Sequence, residues 1–182
     1  MKLFKIIGLI LVLSPLGQVF GVDQETLGRL HENDPSLTTL YLGGNQIGDD
    51  GAEAIAEAKK SRESGGIPIG SVLVAQGKII GRGHNQRVQK NNPILHAEMV
   101  TFQNAGRLRA NIYSQSTIYT SLSPCTMCAG TIVLYKIPRV VVGENRTVKD
   151  LTLWEDWLAK QGVEVINLDL QECVDIMNDF IK

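Results

Sequence analysis

The sequence predicts an α/β fold, a partly parallel sheet with helices on both faces. Three observations carry this. From Gly65 onward, short apolar strands alternate with helical segments, the order that crossovers between parallel strands produce. Turn and helix-start residues punctuate the changes of element: Gln76-Gly77, Pro93 and Pro124. The stretch 51–182 is also long enough to bury roughly two-thirds of its unfolded surface, which suffices for an independent core.

The elements follow in order. Asp49-Asp50 favour helix entry, and Ala52, Ile55, Ala56 and Lys59 come after them at helical spacing. Residues 67–75 read as a strand, with 78–83 as its hairpin partner across Gln76-Gly77. A helix is predicted over 96–105, just after Pro93. Residues 117–121 are β-rich. Pro124, a favourable first-turn residue, introduces a helix over 125–135. Residues 139–142 form a short apolar strand, 151–161 a helix, 163–168 a strand and 170–181 an amphipathic helix.

Bulk properties narrow the function. The chain has 182 residues, 43% hydrophobic and 20% charged, which suits one ordinary domain plus an extension. A net charge of −1 with no dense Lys/Arg run gives no electrostatic case for nucleic acid. Three cysteines are a poor basis for a disulfide framework. Cys125 and Cys128 have the spacing of metal or redox pairs, and Cys173 reads as a small buried hydrophobe.

The first fifty residues have a different character. Lys2 and Lys5 precede an apolar run over 6–13, followed by Pro15, Gly17 and Gly21. That is the layout of a secretory signal over 1–21, too short for a stable membrane span. Export in a eukaryote would make Asn145-Arg146-Thr147 a glycosylation acceptor. In the segment 22–50, Leu37, Leu40, Leu42, Asn45 and Ile47 fit one leucine-rich repeat unit. A single unit cannot bury its own apolar face, so a fragment packed on the neighbouring domain, or a partly ordered arm, is expected rather than a binding array. The helix after Asp50 lies where it can serve both the repeat and the domain over 51–182.

The chemistry is concentrated in three stretches: Asn85, His96-Ala97-Glu98, and Pro124-Cys125-Thr126-Met127-Cys128. A histidine and two cysteines make three zinc ligands. The fourth tetrahedral position is then open, as a catalytic zinc requires. Spacing i, i+3 puts both sulfurs on one helix face, near a positive dipole end that favours thiolates. Glu98, two residues from His96, lies near the metal without having to bind it, and can shuttle protons. Two plainer readings compete. A structural zinc needs a fourth protein ligand, with His31, His84 and Cys173 as the candidates. A redox pair needs only Cys125 and Cys128. The joint pattern favours the catalytic zinc, and it is the pattern of the zinc nucleobase deaminases.

At these residues the chain resembles the cytosine deaminases of the cytidine-deaminase-like superfamily, the fungal and bacterial type that acts on the free base. The resemblance runs from Gly65 to Ile181. It is carried by Gly-Gly-Ile-Pro-Ile-Gly at 65–70, Gly-Arg-Gly-His-Asn at 81–85 and Leu-His-Ala-Glu at 95–98. Leu-Ser-Pro-Cys-Thr-Met-Cys at 122–128 and Ile-Pro-Arg-Val-Val-Val-Gly-Glu-Asn at 137–145 continue it. It implies a three-layer α/β/α sandwich with a mixed central sheet, paired as a homodimer. It implies Zn2+ on His96, Cys125 and Cys128, with Glu98 as proton shuttle. Asn85, the backbone N–H of Ala97 and the carbonyl of Ser123 would contact the base. His84, next to an inward Asn85 on a strand, should point the other way.

Two departures from the family pattern affect the expected activity. In the family, the final helix leads into a segment with an aromatic lid and an aspartate that bonds the departing amino group. This sequence ends at Lys182, before that segment. The family's phenylalanine over the base corresponds to Val148 here. Both point to a wetter, weaker site. The leading expectation is deamination of a free pyrimidine, cytosine to uracil. Guanine, isocytosine and tRNA adenosine are alternative substrates, and a catalytically impaired zinc-binding module is the alternative of another class. Residues 22–50 folding over the site would offer a substitute lid. A small nucleobase is the expected partner, and nucleic acid is not. The leader points to export, the resemblance to the cytoplasm.

Overall fold

The computed structural model describes residues 3–6, 9–12 and 48–182 of the chain. The chain divides into two units, Met1–Gln46 and Ile47–Lys182. In the first, strands β1 (Leu3–Ile6) and β2 (Leu9–Val12) pair antiparallel, Leu3 opposite Val12 and Ile6 opposite Leu9. Apart from these strands and the first helix turn after Gly48, the signal-like reading of 1–21 and the repeat-like reading of 22–50 lie outside the described residues.

The second unit begins with α1 (Gly48–Glu63), followed by β3 (Gly70–Ala75) and β4 (Lys78–His84). Then come α2 (Ala97–Ala105), a short α3 (Ala110–Tyr113), β5 (Ser116–Thr120) and α4 (Thr126–Leu134). β6 (Arg139–Val142), α5 (Thr152–Lys160), β7 (Glu164–Asn167) and α6 (Gln171–Ile181) complete it. The sheet order is β4-β3-β5-β6-β7. β3 is antiparallel to both β4 and β5, whereas β5, β6 and β7 run parallel. The sheet is therefore mixed, as expected. The hairpin turn at Gln76 and Gly77 has φ of 51° and 68°, the left-handed pair that a two-residue turn between twisted strands demands.

Alternation along β3 sends neighbouring side chains to opposite helical layers. Val72 and Val74 pack with Ala54 of α1, while Ile55 meets Cys173 and Ile176 of α6. Ion pairs Lys59–Glu172 and Arg62–Asp179 join these two helices at the surface. Leu73 faces the other layer, with Ile118, Val140 and Val142 of the sheet. There it meets Phe102 of α2, Ala129 and Ile132 of α4, and Leu158 of α5. Leu73, Ile118, Ile132 and Leu158 are wholly buried, each worth about 1.5–3 kcal/mol of transfer free energy. The fold is a three-layer α/β/α sandwich.

The differences from expectation are local and have physical causes. The first strand of the sheet starts at Gly70 rather than 67. Pro68 has no N–H to give a ladder, and the N–H of Ile69 turns back to the Ile67 carbonyl at 2.8 Å. Helices α2 and α4 each start one residue later than predicted. His96 and Cys125 occupy the N-cap positions, with extended backbone at ψ 159° and 176°. Helix α3 was not predicted; it is a single turn, too short to show periodicity.

One close approach positions the site. A Cβ on Gly83 would stand 2.5 Å from the Thr101 nitrogen and 2.8 Å from the Ala97 oxygen. Only glycine lets α2 lie this near β4. Thr101 Oγ1 then reaches the Ser71 carbonyl at 2.9 Å. The Gly-Arg-Gly motif before His84 and Asn85 thus sets the seat of the helix that carries His96 and Glu98.

Candidate active site

Two helix starts converge at the site. His96 caps α2 and Cys125 caps α4, and neither side chain makes a capping hydrogen bond. Both side chains are free to turn toward one another. Cys128 lies in the first turn of α4 and is fully buried, while Cys125 and His96 are half-buried.

The ligand atoms of His96, Cys125 and Cys128 all lie within 4.8 Å of one another. His96 Nδ1 is 3.5 Å from Cys125 Sγ, and the two Sγ atoms are 3.7 Å apart. With Zn–S near 2.3 Å and Zn–N near 2.0–2.1 Å, a tetrahedral zinc has an S···S edge of about 3.8 Å and an N···S edge of about 3.5–3.6 Å. The distances therefore match the edges of a zinc tetrahedron. A donor set of one imidazole and two thiolates also suits zinc's borderline softness.

Among the described residues, no fourth protein ligand joins the three. His84 Nδ1 is engaged with Glu57 Oε2 at 2.9 Å on the opposite face of the sheet, where its alternation with Asn85 was expected to send it. Cys173 is buried against Gly143, between the sheet and α6. His31 lies outside the described residues. A zinc held by these three donors would keep one coordination position for a reactant, and the histidine in the cluster distinguishes it from a bare redox pair.

The electrostatics of the three ligands are those of a proton-sharing cluster. The hydrogen bond from Cys128 pulls the Cys125 thiol down to about 3 against the opposing effect of burial, and His96 adds to it. The same Cys125 contact raises His96, although burial works the other way. Cys128 is pushed up by its hydrogen bond to Cys125 and by burial. One thiolate is thus held by its neighbours' protons. A divalent cation replaces those protons, so metal uptake here is coupled to proton release.

Glu98 is buried in the first turn of α2. Its Oε2 lies 3.3 Å from Cys128 Sγ, and its Oε1 lies 3.3 Å from Thr120 Oγ1. It stands beside the three-donor set but outside it. Burial is the leading cause that lifts its carboxyl above the ordinary range. A carboxyl raised in this way holds a proton more readily than an ordinary one, which suits a group that must take up a proton and return it.

Asn85, Ala97 and Ser123 are all buried. Asn85 Oδ1 accepts the Arg87 N–H at 3.1 Å, which fixes the orientation of the amide. Its Nδ2 has no hydrogen-bond partner among the described residues. Ala97 is the first residue of α2, where the N–H meets no helical carbonyl. Ser123 donates its N–H to the Glu144 carbonyl at 2.9 Å, and its hydroxyl is unpartnered among the described residues. Glu144 is itself fully buried and accepts the N–H groups of Arg146 and Thr147 at 2.6 and 3.0 Å. That folds the loop carrying Val148, whose side chain is partly exposed. Asn145 Nδ2 is bonded to both carboxylate oxygens of Glu155, which a glycan on that nitrogen would disrupt.

Sequence reasoning missed two contacts to these residues: Thr120, beside Glu98, and Ser61, whose hydroxyl donates to the Asn85 carbonyl at 2.8 Å. Thr120 sits on the buried phase of β5, which alternates buried and half-buried, and its hydroxyl also donates to the Leu122 carbonyl at 2.9 Å. A polar residue on an inward strand position was the available signal. Ser61, near the end of α1, lies just before the motif at 65–70 and outside it, and its sequence context gives no signal.

The chain is similar to known proteins over the stretch that holds these residues. The family described as cytidine and deoxycytidylate deaminase zinc-binding region matches residues 51–144, and a leucine-rich repeat family matches residues 33–56. The two matches overlap within α1. A cytosine deaminase of Candida albicans (strain SC5314 / ATCC MYA-2876) is 51% identical over 130 residues, 71% of this chain and 85% of its own. A tRNA-specific adenosine deaminase of Bacillus subtilis (strain 168) is 46% identical over 138 residues, 71% and 85% respectively. A structure solved in work on A-to-I editing by tRNA:A34 deaminases at the wobble position superposes with a TM-score of 0.58 at 27% identity. It covers 69% of this chain and 96% of that one. The family match spans the paired helix starts that bring the zinc ligands together, and the chain belongs to the zinc-dependent cytidine and deoxycytidylate deaminase family.

Proposed function

We propose that this protein deaminates a free pyrimidine base, converting cytosine and water to uracil and ammonia. The observation that carries the reading is the Asn85 amide. It is buried, its Oδ1 is committed to Arg87, and its Nδ2 is left to donate. A buried donor pair fixed in orientation suits the carbonyl O2 of a pyrimidine. The similarity to the Candida cytosine deaminase supports the same substrate.

His96, Cys125 and Cys128 would hold zinc, which when bound supplies Lewis-acid activation of water. Glu98 takes the proton released as water adds to C4 of the base. It passes that proton to ring N3, then takes the proton of the new C4 hydroxyl and gives it to the amine, so that C4 keeps a carbonyl and ammonia leaves. The first-turn N–H of Ala97 and the carbonyl of Ser123 would orient the ring beside Asn85. Asn85, Glu98 and Ser123 are themselves buried, which limits the solvent that screens their contacts with the base.

The test is direct. Purified full chain should contain about one zinc per chain and release ammonia from cytosine. Zinc binding without ammonia release from cytosine would reject this substrate. The similarity to tRNA-specific adenosine deaminases supports a second reading, tRNA adenosine. The net charge of −1 disfavours it. An anticodon stem-loop assayed beside cytosine separates the two.

The family's pairing as a homodimer is part of the proposal. Leu134 and Ile94 are 73% and 54% exposed, and Tyr135 is exposed beside Leu134. Apolar exposure of this kind is what an interface between copies covers; sedimentation of the purified protein tests it. The leader-like composition of 1–21 supports export, tested by mass spectrometry of the mature N-terminus.

A further inference from the structure

Asn85 is held at three points, and one of them comes from a distant helix. Its N–H donates to the Ile69 carbonyl at 2.8 Å. Its side-chain Oδ1 accepts the Arg87 N–H. Its carbonyl accepts the Ser61 hydroxyl at 2.8 Å, across 24 residues of sequence. Ser61 has no exposed surface. The same hydroxyl lies 2.7 Å from the Ile67 carbonyl.

This use of a helical serine is unusual. A serine inside a helix commonly turns its hydroxyl back to the carbonyl four residues earlier. Ser61 sends it away from α1, to the two strands of chain that lead into and out of the first hairpin. A hydroxyl has one hydrogen, so it ties both carbonyls to one point rather than satisfying each alone. Gln89, just beyond Asn85, closes the arrangement from the other side. Its Nε2 donates to Ser64 Oγ at 2.8 Å and approaches the Ser61 carbonyl at 3.4 Å.

We propose that Ser61 is a positioning residue for substrate specificity: its hydroxyl fixes the Asn85 backbone, and so the place where the free Nδ2 meets the base. This rests on the reading of Asn85 as the base-recognising amide. Ser61 touches no substrate itself, so its loss acts on binding and leaves proton transfer at Glu98 largely alone.

The experiment uses the full zinc-loaded chain. In Ser61→Ala, KM for cytosine and Kd for uracil, measured by calorimetry, should rise about tenfold, the effect of one buried hydrogen bond. The kcat value should stay within about threefold, with zinc content unchanged. Ser61→Cys, similar in size and a weak donor, should move in the same direction, and Ser61→Thr, which keeps the hydroxyl, should restore KM. Asn85→Ala tests the underlying reading by itself, because it should weaken uracil binding whatever Ser61 does. Adding Ser61→Ala to Asn85→Ala should cost no more than about twofold further. A full further loss in that background, or an unchanged KM in Ser61→Ala, overturns the role given to Ser61. Unchanged uracil binding in Asn85→Ala overturns the reading of Asn85 instead.

Discussion

Glu98 Oε2 and Cys128 Sγ lie 3.3 Å apart, each buried, and they come from the first turns of two different helices. The carboxyl group therefore approaches the three-donor cluster from the side of α2, while the two sulfurs approach from α4. A residue so placed can exchange protons with a reactant at the open coordination position without taking that position itself.

Glu98→Gln should keep zinc and lose activity. The amide has nearly the same shape and cannot accept and return a proton, so ammonia release should fall by about 10²–10⁴-fold. Metal analysis and steady-state kinetics on the same preparation check this. Turnover near the wild-type rate would remove Glu98 from the mechanism.

Chelation should destabilise the protein as well as inactivate it. Two of the three donors, His96 and Cys125, sit at helix N-caps that no side chain otherwise caps. Without metal, Cys128 returns to a buried thiol and the two helix starts lose their bridge. The melting temperature should drop on treatment with a chelator and recover on adding zinc. Activity lost with no shift in melting temperature would mean that the metal is not a structural link between α2 and α4.

Gly83→Ala should damage the site through packing. The new methyl would meet backbone atoms of Thr101 and Ala97, at 2.5 and 2.8 Å, so no side chain can move aside for it. The cost should be about 1–3 kcal/mol of stability. Helix α2 must shift, carrying His96 with it, so zinc affinity should fall in parallel. Denaturant unfolding and competitive zinc titration measure the two effects. A variant with wild-type stability would contradict the close approach.

Glu57 makes the fold sensitive to acid. Burial opposes its ionisation, but hydrogen bonds from Lys60 and His84 outweigh it and hold the carboxyl below its ordinary value of 4.5. A carboxyl lowered on folding adds stability above the ordinary value and loses it as pH falls through the folded one. Glu57→Gln should therefore melt below wild type near neutrality, with the gap closing as pH drops below 4.5. The gap should be modest, since Lys60 is half-exposed. Melting curves at stepped pH check the sign. A gap that widens in acid would show that the carboxylate is not the stabilising form.

The metal chemistry and the fold class were legible along the chain because both are local. Strand and helix periods repeat within a few residues, and Cys125 and Cys128 share a helix face through simple i, i+3 spacing. The sequence also indicated a His–Cys–Cys zinc set with an adjacent glutamate, since each piece is a short motif. Only the tertiary structure decided the distances. Whether His96 stands 3.5 Å from Cys125 depends on how closely α2 approaches β4, and that depends on Gly83. Thr120 against Glu98 and Ser61 against Asn85 join residues 22 and 24 positions apart. No local pattern encodes such contacts, because the packing of helices across the sheet brings them together.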